Sequence, residues 1–318
     1  MTVTVPSYYK DFKCIADKCR HSCCIGWEID IDDETFDFYK SVKGDFGKKL
    51  KSYIKSESGI NSFILDKNER CPFLNKDNLC DIYIELGENN LCQICSDHPR
   101  FRNYLSDCIE MGLGMCCEEA ARLILSQESK FKMVLLKDDN IAINLTEDEE
   151  YILNVREDLY LILYENENDI ENGINKIFDF MEYSFPDKSL SQWVDLLLNL
   201  EILDPQWKTL LENVKSKENE IIKTDFKRFN RAFINLIIYF LFRHMVNCSD
   251  WEDLCARVSF SIFAYKLIKM LCINKLIKSE ECNFEDLCEY ARLFSSEIEY
   301  SQENMDAVLD MLKIRTTS

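Results

Sequence analysis

Thiol side chains concentrated before residue 118 constrain this chain more than any other feature of its sequence. Four of them lie between Cys14 and Cys24, with the spacing Cys-x4-Cys-x3-Cys-Cys. The other thiols of this region are Cys71, Cys80, Cys92, Cys95, Cys108, Cys116 and Cys117. Metal ions bound by distant thiolates close loops and contribute directly to folding. The pattern therefore predicts loops and short helices gathered around a soft-metal centre.

The redox setting favours metal binding over disulfides. The segment Met1–Tyr9 lacks the basic and apolar parts of a secretory signal, so we expect a cytoplasmic protein whose thiols stay reduced. The most apolar stretch, Ala232–Phe242, is too short to span a bilayer, and we expect no membrane partner. Cysteines in a reducing compartment are more often metal ligands than disulfide partners.

Composition favours a helical protein of one large or two ordinary domains. The chain has 318 residues, of which 47% are hydrophobic, and only 8 are Gly and 5 are Pro. So few turn residues argue against an all-β fold. A formal net charge of −19 disfavours a nucleic-acid partner. It could attract a lysine-bearing protein substrate, or it could serve only solubility.

Periodicity divides the chain into a cysteine-rich part and a helical part. Thr146 and Glu149 have the spacing of a capping box that leads into a helix. We predict a hairpin from residues 131–136 and 141–145. We predict helices at 151–164, 169–183, 189–203, 205–217, 225–247, 250–273, 283–296 and 302–313. The predicted fold class is mainly α, with a Cys-rich loop and short-helix domain at 1–128 around a metal centre and an all-helical domain at 129–318.

Spacing alone does not decide between zinc and an iron–sulfur cluster. Structural zinc sites commonly use two close cysteine pairs, and this chain has one such pair, Cys92-x2-Cys95. A cubane cluster needs four thiolates and accepts irregular spacing. The adjacent residues Cys23 and Cys24 are expected to diverge and so not to bind one ion together. The radical adenosylmethionine signature Cys-x3-Cys-x2-Cys is absent, because Gly26 stands where its third thiol belongs.

Several blocks of the sequence resemble the flagellin lysine-N-methylase family. The first block is Cys14 to Trp27, the second is Cys-Pro-Phe-Leu from Cys71 with Cys-Asp-Ile-Tyr from Cys80, and the third begins at Cys117. The second block is also similar to a broader group of cysteine-rich zinc- or iron-chelating proteins. This motif resemblance covers roughly residues 7–126. The chain departs from the family pattern at Glu118, where we expect proline.

The resemblance implies methyl transfer from S-adenosylmethionine to lysine side chains of flagellin, with a [4Fe-4S] cluster as a cofactor. The family cysteines correspond by position to Cys14, Cys19, Cys23, Cys24, Cys71, Cys80, Cys95 and Cys117. Cys92, Cys108 and Cys116 lie outside the family pattern. Eight thiols exceed the four that one cubane needs, so the ligands among them stay open, and zinc remains the alternative metal.

Catalytic and cofactor-binding candidates come from the matching blocks. Tyr83, His98 and Tyr104 are candidates for the base or for orienting roles, because a lysine amine must lose a proton before it attacks a methyl group. Trp27 could meet the sulfonium of S-adenosylmethionine through a cation–π contact, and Arg100 is a second cofactor-binding candidate. No strand–Gly-x-Gly-x-x-Gly–helix unit is present, so we do not expect the doubly wound methyltransferase fold.

Two other readings fit the same cysteines. The chain could be a non-catalytic zinc- or iron-binding module with a structural or storage role. It could also be a redox sensor whose cluster reports oxygen or iron. The scattered residues Cys248, Cys255, Cys272, Cys282 and Cys288 are expected to be buried small hydrophobes of the helical domain.

Overall fold

The computed structural model describes residues 1–139 and 143–313 and is mainly helical over them, which confirms the predicted fold class at that level. The strands are β1 (Thr2–Pro6), β2 (Asp30–Ile31), β3 (Ile54–Glu57), β4 (Ile60–Phe63), β5 (Arg100–Tyr104), β6 (Cys108–Leu113) and β7 (Met133–Lys137). The first helices are α1 (Asp33–Ser41), α2 (Gly44–Ser52), α3 (Asp81–Leu86), α4 (Gln93–Asp97) and α5 (Glu118–Leu125). The later helices are α6 (Glu147–Glu165), α7 (Ile170–Phe180), α8 (Leu190–Leu198), α9 (Pro205–Ser216), α10 (Glu218–Lys223), α11 (Asn230–His244), α12 (Trp251–Ser279), α13 (Phe284–Phe294) and α14 (Gln302–Leu312).

Tertiary contacts group the chain into two compact units. One, which we call the body unit, comprises Met1–Phe12 and the chain from Arg102 onward. The other, the inserted unit, is Lys13–Phe101. These bounds are not those of the predicted domains 1–128 and 129–318. A compact unit need not fold on its own, so the division into domains stays a prediction.

The sheet of the body unit pairs segments that are distant in sequence. Its order is β5-β6-β1-β7, with β1 parallel to β6 and antiparallel to β7. The strand predicted at 131–136 is present as β7, and among the described residues it pairs with β1. Residues 140–142 of that predicted hairpin lie outside the described residues, and 143–145 form no strand.

Local signals set the helices of the inserted unit. The Asp32 side chain accepts a hydrogen bond from the Thr35 N–H and caps α1. Gly87, with φ 87°, ends α3. The sheet β2-β4-β3 is antiparallel. Helix α2 and strand β3 occupy residues for which the sequence predicted no element.

The helices of the body unit follow the predicted pattern closely. Thr146 and Glu149 form the predicted capping box, in which each side chain accepts from the other residue's backbone N–H. Helix α11 is buried on nearly all faces, as expected of a helix that is apolar all round. It begins at Asn230 instead of residue 225, because Phe229 has a left-handed backbone with φ 63°. Among the described residues, every helix is too short or too polar to cross a membrane.

A buried ion pair joins β6 to α6 in the body unit. Arg156 Nη1 and Nη2 donate to the two carboxylate oxygens of Glu110 at 2.7 and 2.6 Å. The two side chains are 3% and 7% exposed. A buried pair of this kind is weak evidence for net stability, but removal of one partner strands the other charge away from water.

We therefore expect Arg156→Met to lower the free energy of unfolding by about 3–5 kcal/mol. The double variant Glu110→Leu/Arg156→Met should recover most of that loss, because apolar side chains then replace both charges. Urea unfolding followed by circular dichroism measures both effects. The control is Lys48→Ala, which removes an exposed ion pair with Asp45 and should lower stability by less than about 1 kcal/mol. Equal losses in the single and double variants would contradict this account.

Candidate metal centre

Five thiols lie in or against the apolar core of the inserted unit, and we call them the thiol cluster: Cys24, Cys71, Cys80, Cys92 and Cys95. Cys71 and Cys92 are buried, and the other three are half-buried against the same core. The rings of Tyr39, Phe63 and Phe73 pack in this core, with the Phe63 and Phe73 centroids 4.9 Å apart. Sulfur is thus concentrated in an apolar interior.

Backbone hydrogen bonds bring the cysteines of separate segments together. The Cys24 carbonyl accepts from the Cys71 N–H at 2.8 Å, which joins the first ligand loop to the second. The Phe73 carbonyl accepts from the Asp81 N–H at 2.7 Å. That bond folds the chain back on itself and brings Cys80, the N-cap residue of α3, beside the segment that follows Cys71. Residues far apart in sequence therefore meet through main-chain contacts, independently of any metal.

The closest pair in the cluster is Cys92 and Cys95. Cys92 precedes α4, and its carbonyl accepts from the Cys95 N–H at 3.0 Å, so the helical turn places both thiols on one side. Their sulfur atoms are 3.3 Å apart and share a hydrogen bond. The hydrogen bond with Cys95 lowers the pKa of Cys92, and the same bond and burial raise the pKa of Cys95, so the pair loses its first proton more easily than an isolated cysteine and its second with difficulty. Burial, and then the charges of Cys92 and Cys95, raise the pKa of the Tyr39 phenol far above its ordinary value.

Electrostatics divide the cluster into Cys71, Cys80 and Cys95, whose pKa values are raised, and Cys24 and Cys92, whose pKa values are lowered. Burial raises the pKa of Cys71 to about 12 and also raises the pKa of Cys80. A hydrogen bond from the Cys23 thiol lowers the pKa of Cys24 to about 7, against burial and with help from the Arg70 charge. Metal binding to this cluster must therefore release several protons, because thiolates are the ligands.

The donor set fits a soft metal ion or an iron–sulfur cluster. Thiolates select zinc, cuprous copper or iron–sulfur clusters. The core of the inserted unit contains five cysteines, which is more than the four that a cubane needs. Each thiol of the cluster lies close enough to another to shift its pKa. Among the described residues, no three Cys, His, Asp or Glu side chains already surround a point that could hold a metal ion. The fit is therefore one of donor chemistry and proximity.

The eight predicted ligands lie in three places: the thiol cluster, the first ligand loop and the body unit. Cys24, Cys71, Cys80 and Cys95 belong to the thiol cluster. The others are outside it: Cys14 is exposed, Cys19 donates to the His21 carbonyl at 3.2 Å, Cys23 contacts Cys24, and Cys117 precedes α5 in the body unit. The predicted ligand set stays a prediction.

Two features of the cluster differ from the sequence reasoning. Cys92 was set outside the family pattern, yet it is among the most buried thiols of the cluster, at 1% exposed. Its Cys-x2-Cys spacing with Cys95 was the signal that could have included it. Cys23 and Cys24 were expected to diverge, whereas their side chains share a hydrogen bond.

The three catalytic candidates lie in different environments. Tyr83 is on α3 and half exposed, and His98 is half-buried at the end of α4 in the same unit. Burial, and then the Arg100 charge, lower the pKa of His98 to about 4, so that its imidazole is neutral at pH 7. Tyr104 belongs to the body unit, on β5, and is 69% exposed. Their catalytic roles stay predictions.

The two cofactor-binding candidates are placed near the ligand loops. Trp27 packs against the core that contains the thiol cluster, and its indole N–H donates to the Cys23 carbonyl. Its ring centroid is 6.2 Å from that of His98. Arg100 Nη1 donates to the Ser96 carbonyl at 3.0 Å. Both contacts are structural, and their roles toward a cofactor stay predictions.

Comparisons with known proteins give a consistent result. A family model described as the FliB lysine N-methylase C-terminal domain matches residues 100–318. The chain is 28% identical over 139 residues to a "Lysine-N-methylase" of Salmonella choleraesuis (strain SC-B67), which covers 40% of this chain and 33% of that protein. A "Lysine-N-methylase" of Salmonella typhimurium shows the same identity and coverage.

A shorter relative is matched over more of its length. The "Flagellar biosynthetic protein FliU" of Salmonella muenchen is 28% identical over 139 residues, which is 40% of this chain and 78% of that protein. The chain matches only about a third of the length of the two lysine-N-methylases. No solved structure matches the chain significantly.

The Cys23–Cys24 contact predicts the pH dependence of alkylation in the metal-free protein. Cys24 should react with iodoacetamide with a midpoint of about pH 7, because the Cys23 thiol stabilises its thiolate. Cys23→Ala removes that donor and should move the midpoint upward. Peptide mass spectrometry across a pH series measures both, and Cys14→Ala is the matched control because it removes an exposed thiol of the same loop. Identical midpoints for Cys24 in the wild type and Cys23→Ala would show that the contact has no such effect.

Proposed function

Because the chain belongs to the FliB lysine N-methylase family, we propose that it transfers methyl groups from S-adenosylmethionine to lysine side chains of flagellin in the cytoplasm. The single observation that carries this proposal is the family match, which spans residues 100–318 and thus most of the chain. The name of the Salmonella muenchen relative supports a flagellar substrate.

We further propose that a [4Fe-4S] cluster is held by cysteines of the thiol cluster. Cys24, Cys71, Cys80 and Cys95 are the first choice, because they satisfy the family pattern and share one core. When bound, such a cluster supplies soft Lewis-acid iron and a one-electron redox centre. A structural zinc site is the second candidate, and the close pair Cys92 and Cys95 favours it.

Methyl transfer requires a neutral lysine amine. The amine has a reference pKa of about 10.4, so it must lose a proton before its nitrogen lone pair attacks the methyl carbon. The bond between that carbon and the sulfonium sulfur then breaks, and its electrons remain on sulfur. The products are methyl-lysine, a released proton and S-adenosylhomocysteine. A protein group or water must accept the proton.

The candidate residues can contribute in different ways. His98 is neutral at pH 7 and can accept a hydrogen bond from an amine, although its low pKa makes it a weak base. The exposed phenols of Tyr83 and Tyr104 can orient an amine through their oxygen atoms. The net charge of −19 favours the approach of a lysine-bearing surface, with an effect that salt screens.

We expect purified protein reconstituted anaerobically with iron and sulfide to methylate flagellin lysines when S-adenosylmethionine is added. S-adenosylmethionine labelled in its methyl group, with tandem mass spectrometry of flagellin peptides, identifies the modified lysines. Removal of the group that accepts the proton should lower kcat about 10²-fold or more, which His98→Gln, Tyr83→Phe and Tyr104→Phe test. Tyr151→Phe is the matched control, since Tyr151 is an exposed tyrosine of α6. Unlabelled flagellin lysines in the presence of loaded protein would defeat the proposal.

A further inference from the structure

A cleft of about 300 Å³ lies in the body unit, between the segment that precedes α8 and one face of α12. Proteins bind small molecules in cavities of roughly 300–1,000 Å³. The walls of the cleft come from residues 185–188, the first turn of α8 and the middle of α12. Among the described residues that line it there is no member of the thiol cluster and no catalytic or cofactor-binding candidate. The cleft is therefore distinct from the candidate metal centre.

Helical spacing produces the wall on α12. Phe263, Lys266 and Met270 are separated by three and four residues, so one face of the helix carries all three. Trp193 of α8 packs against this face, and its ring centroid lies 4.9 Å from that of Phe263. Two regular helices thus supply both the apolar and the charged lining.

Three aromatic rings form a continuous part of the lining. Trp193 contacts Phe263 on one side, and on the other its ring centroid lies 5.8 Å from that of Phe185. Trp193 and Phe263 are buried, and Phe185 is half-buried. Aromatic pairs gain energy at centroid separations of about 4.5–7 Å, beyond the burial of their area. The lining therefore favours a planar aromatic ligand over a flexible aliphatic chain.

The segment before α8 is held at both ends. The Tyr183 hydroxyl donates to the Leu312 carbonyl at 3.0 Å. Ser189 caps α8 and forms a capping box with Gln192. Between these points Phe185 packs against Phe178 of α7, with centroids 5.9 Å apart. The aromatic wall is thus formed before a ligand enters, which lowers the entropic cost of binding.

Two ammonium groups lie over these rings. Lys188 Nζ is 5.0 Å from the ring centroid of Trp193, and Lys266 Nζ is 5.4 Å from that of Phe185. Both lysines are half-buried. Within the part of the chain that the structure describes, no carboxylate lies at ion-pair distance from either ammonium. Two cations therefore stand beside an aromatic wall without an anionic partner.

The acidic groups around the cleft do not neutralise these cations. Asp187 lines the cleft but is exposed, so water and salt screen its charge. The Glu171 carboxylate is paired with Lys269 at 2.9 Å and accepts from the Tyr265 hydroxyl at 2.9 Å. Burial opposes the ionisation of Glu171, but Lys269 and then Lys266 hold its pKa below the ordinary value. The cleft thus combines a positive charge with an apolar interior.

We propose that this cleft binds a small planar aromatic anion, whose ring contacts Trp193 and Phe263 and whose anionic group pairs with Lys188 and Lys266. An aromatic ring that bears a carboxylate, phosphate or sulfonate has this chemistry. Hydrogen bonds between an ammonium and an anion are charge-assisted, and an apolar surrounding strengthens them. S-adenosylmethionine does not fit the class, because its sulfonium and ammonium groups outnumber its carboxylate. The proposal therefore goes beyond the proposed methyl transfer and does not depend on it.

Two fluorescent probes of similar shape test the site on the full chain. Anilinonaphthalene sulfonate has aromatic rings and one negative charge, and phenylnaphthylamine has the same rings without the sulfonate. The wild type should bind one equivalent of the sulfonate probe with a Kd of about 10–100 µM. Absence of saturable binding would overturn the proposal.

Substitutions in the cleft locate the bound probe and test the charge. Lys188→Gln and Lys266→Gln should each raise the Kd of the sulfonate probe about fivefold or more and leave that of the neutral probe within about twofold. Met270→Trp fills the cleft and should weaken both probes. Lys130→Gln is the matched control, because its ammonium lies 5.0 Å from the Tyr164 ring beside a cavity of only about 10 Å³. Equal losses in Lys130→Gln, or full binding in all three cleft variants, would overturn the proposal.

Competition then distinguishes the sources of such an anion. Displacement of the sulfonate probe by adenosine monophosphate alone supports a nucleotide, and displacement by indole acetate alone supports an aromatic carboxylate. Displacement by both supports the whole class. Displacement by neither, or by S-adenosylmethionine in preference to both, would overturn the proposal. These titrations need neither flagellin nor a bound cluster, so they decide the question even if methyl transfer is not observed.

Discussion

Burial of thiols among aromatic rings is the constraint on which the inserted unit depends. Its apolar core is small, and a substantial part of it is sulfur from segments that main-chain hydrogen bonds bring together. Neutral thiols are stable in such an interior because burial raises the pKa of Cys71 and Cys80. The same cysteines are the donors that a metal site needs, and a metal ion that bound to them would replace several thiol protons.

The body unit differs from the inserted unit in burying charged side chains inside a helical core. Arg156 with Glu110 and Arg243 with Glu299 are both enclosed, and each carboxylate receives more than one donor. Buried pairs of this kind seldom add much net stability but strongly disfavour alternative arrangements that leave a charge alone. Helix α11 contributes Arg243 to one pair and apolar side chains to the surrounding core. Helix α11 therefore contributes both to a buried ion pair and to apolar packing.

Sequence reasoning succeeded where the determining contacts are local. The Thr146–Glu149 capping box involves residues within one turn, so spacing alone reveals it. Most helices of the body unit were likewise visible as apolar periodicity. The predicted start of α11 at residue 225 was wrong, because the left-handed backbone of Phe229 has no sequence signature.

Contacts between residues that are distant in sequence could not be predicted in the same way. The pairing of β1 with β6 joins residues more than a hundred positions apart, and neither strand predicts the other. Cys92 was excluded by family pattern, although its place in the cluster depends on the fold of the whole inserted unit. The sequence also carried no sign that Tyr239 and Glu299 are in contact, because neither residue belongs to a recognisable motif.

The central claim is that the thiol cluster holds one inorganic centre, and metal analysis tests it most directly. Iron and acid-labile sulfide should be measured on the anaerobically reconstituted chain, together with zinc. The account predicts about four irons with matching sulfide per chain. It also predicts loss of both in Cys71→Ser and Cys80→Ser and retention in Cys255→Ser, which alters a buried thiol of α12. A colourless protein with zinc alone, or iron that persists in Cys71→Ser and Cys80→Ser, would contradict it.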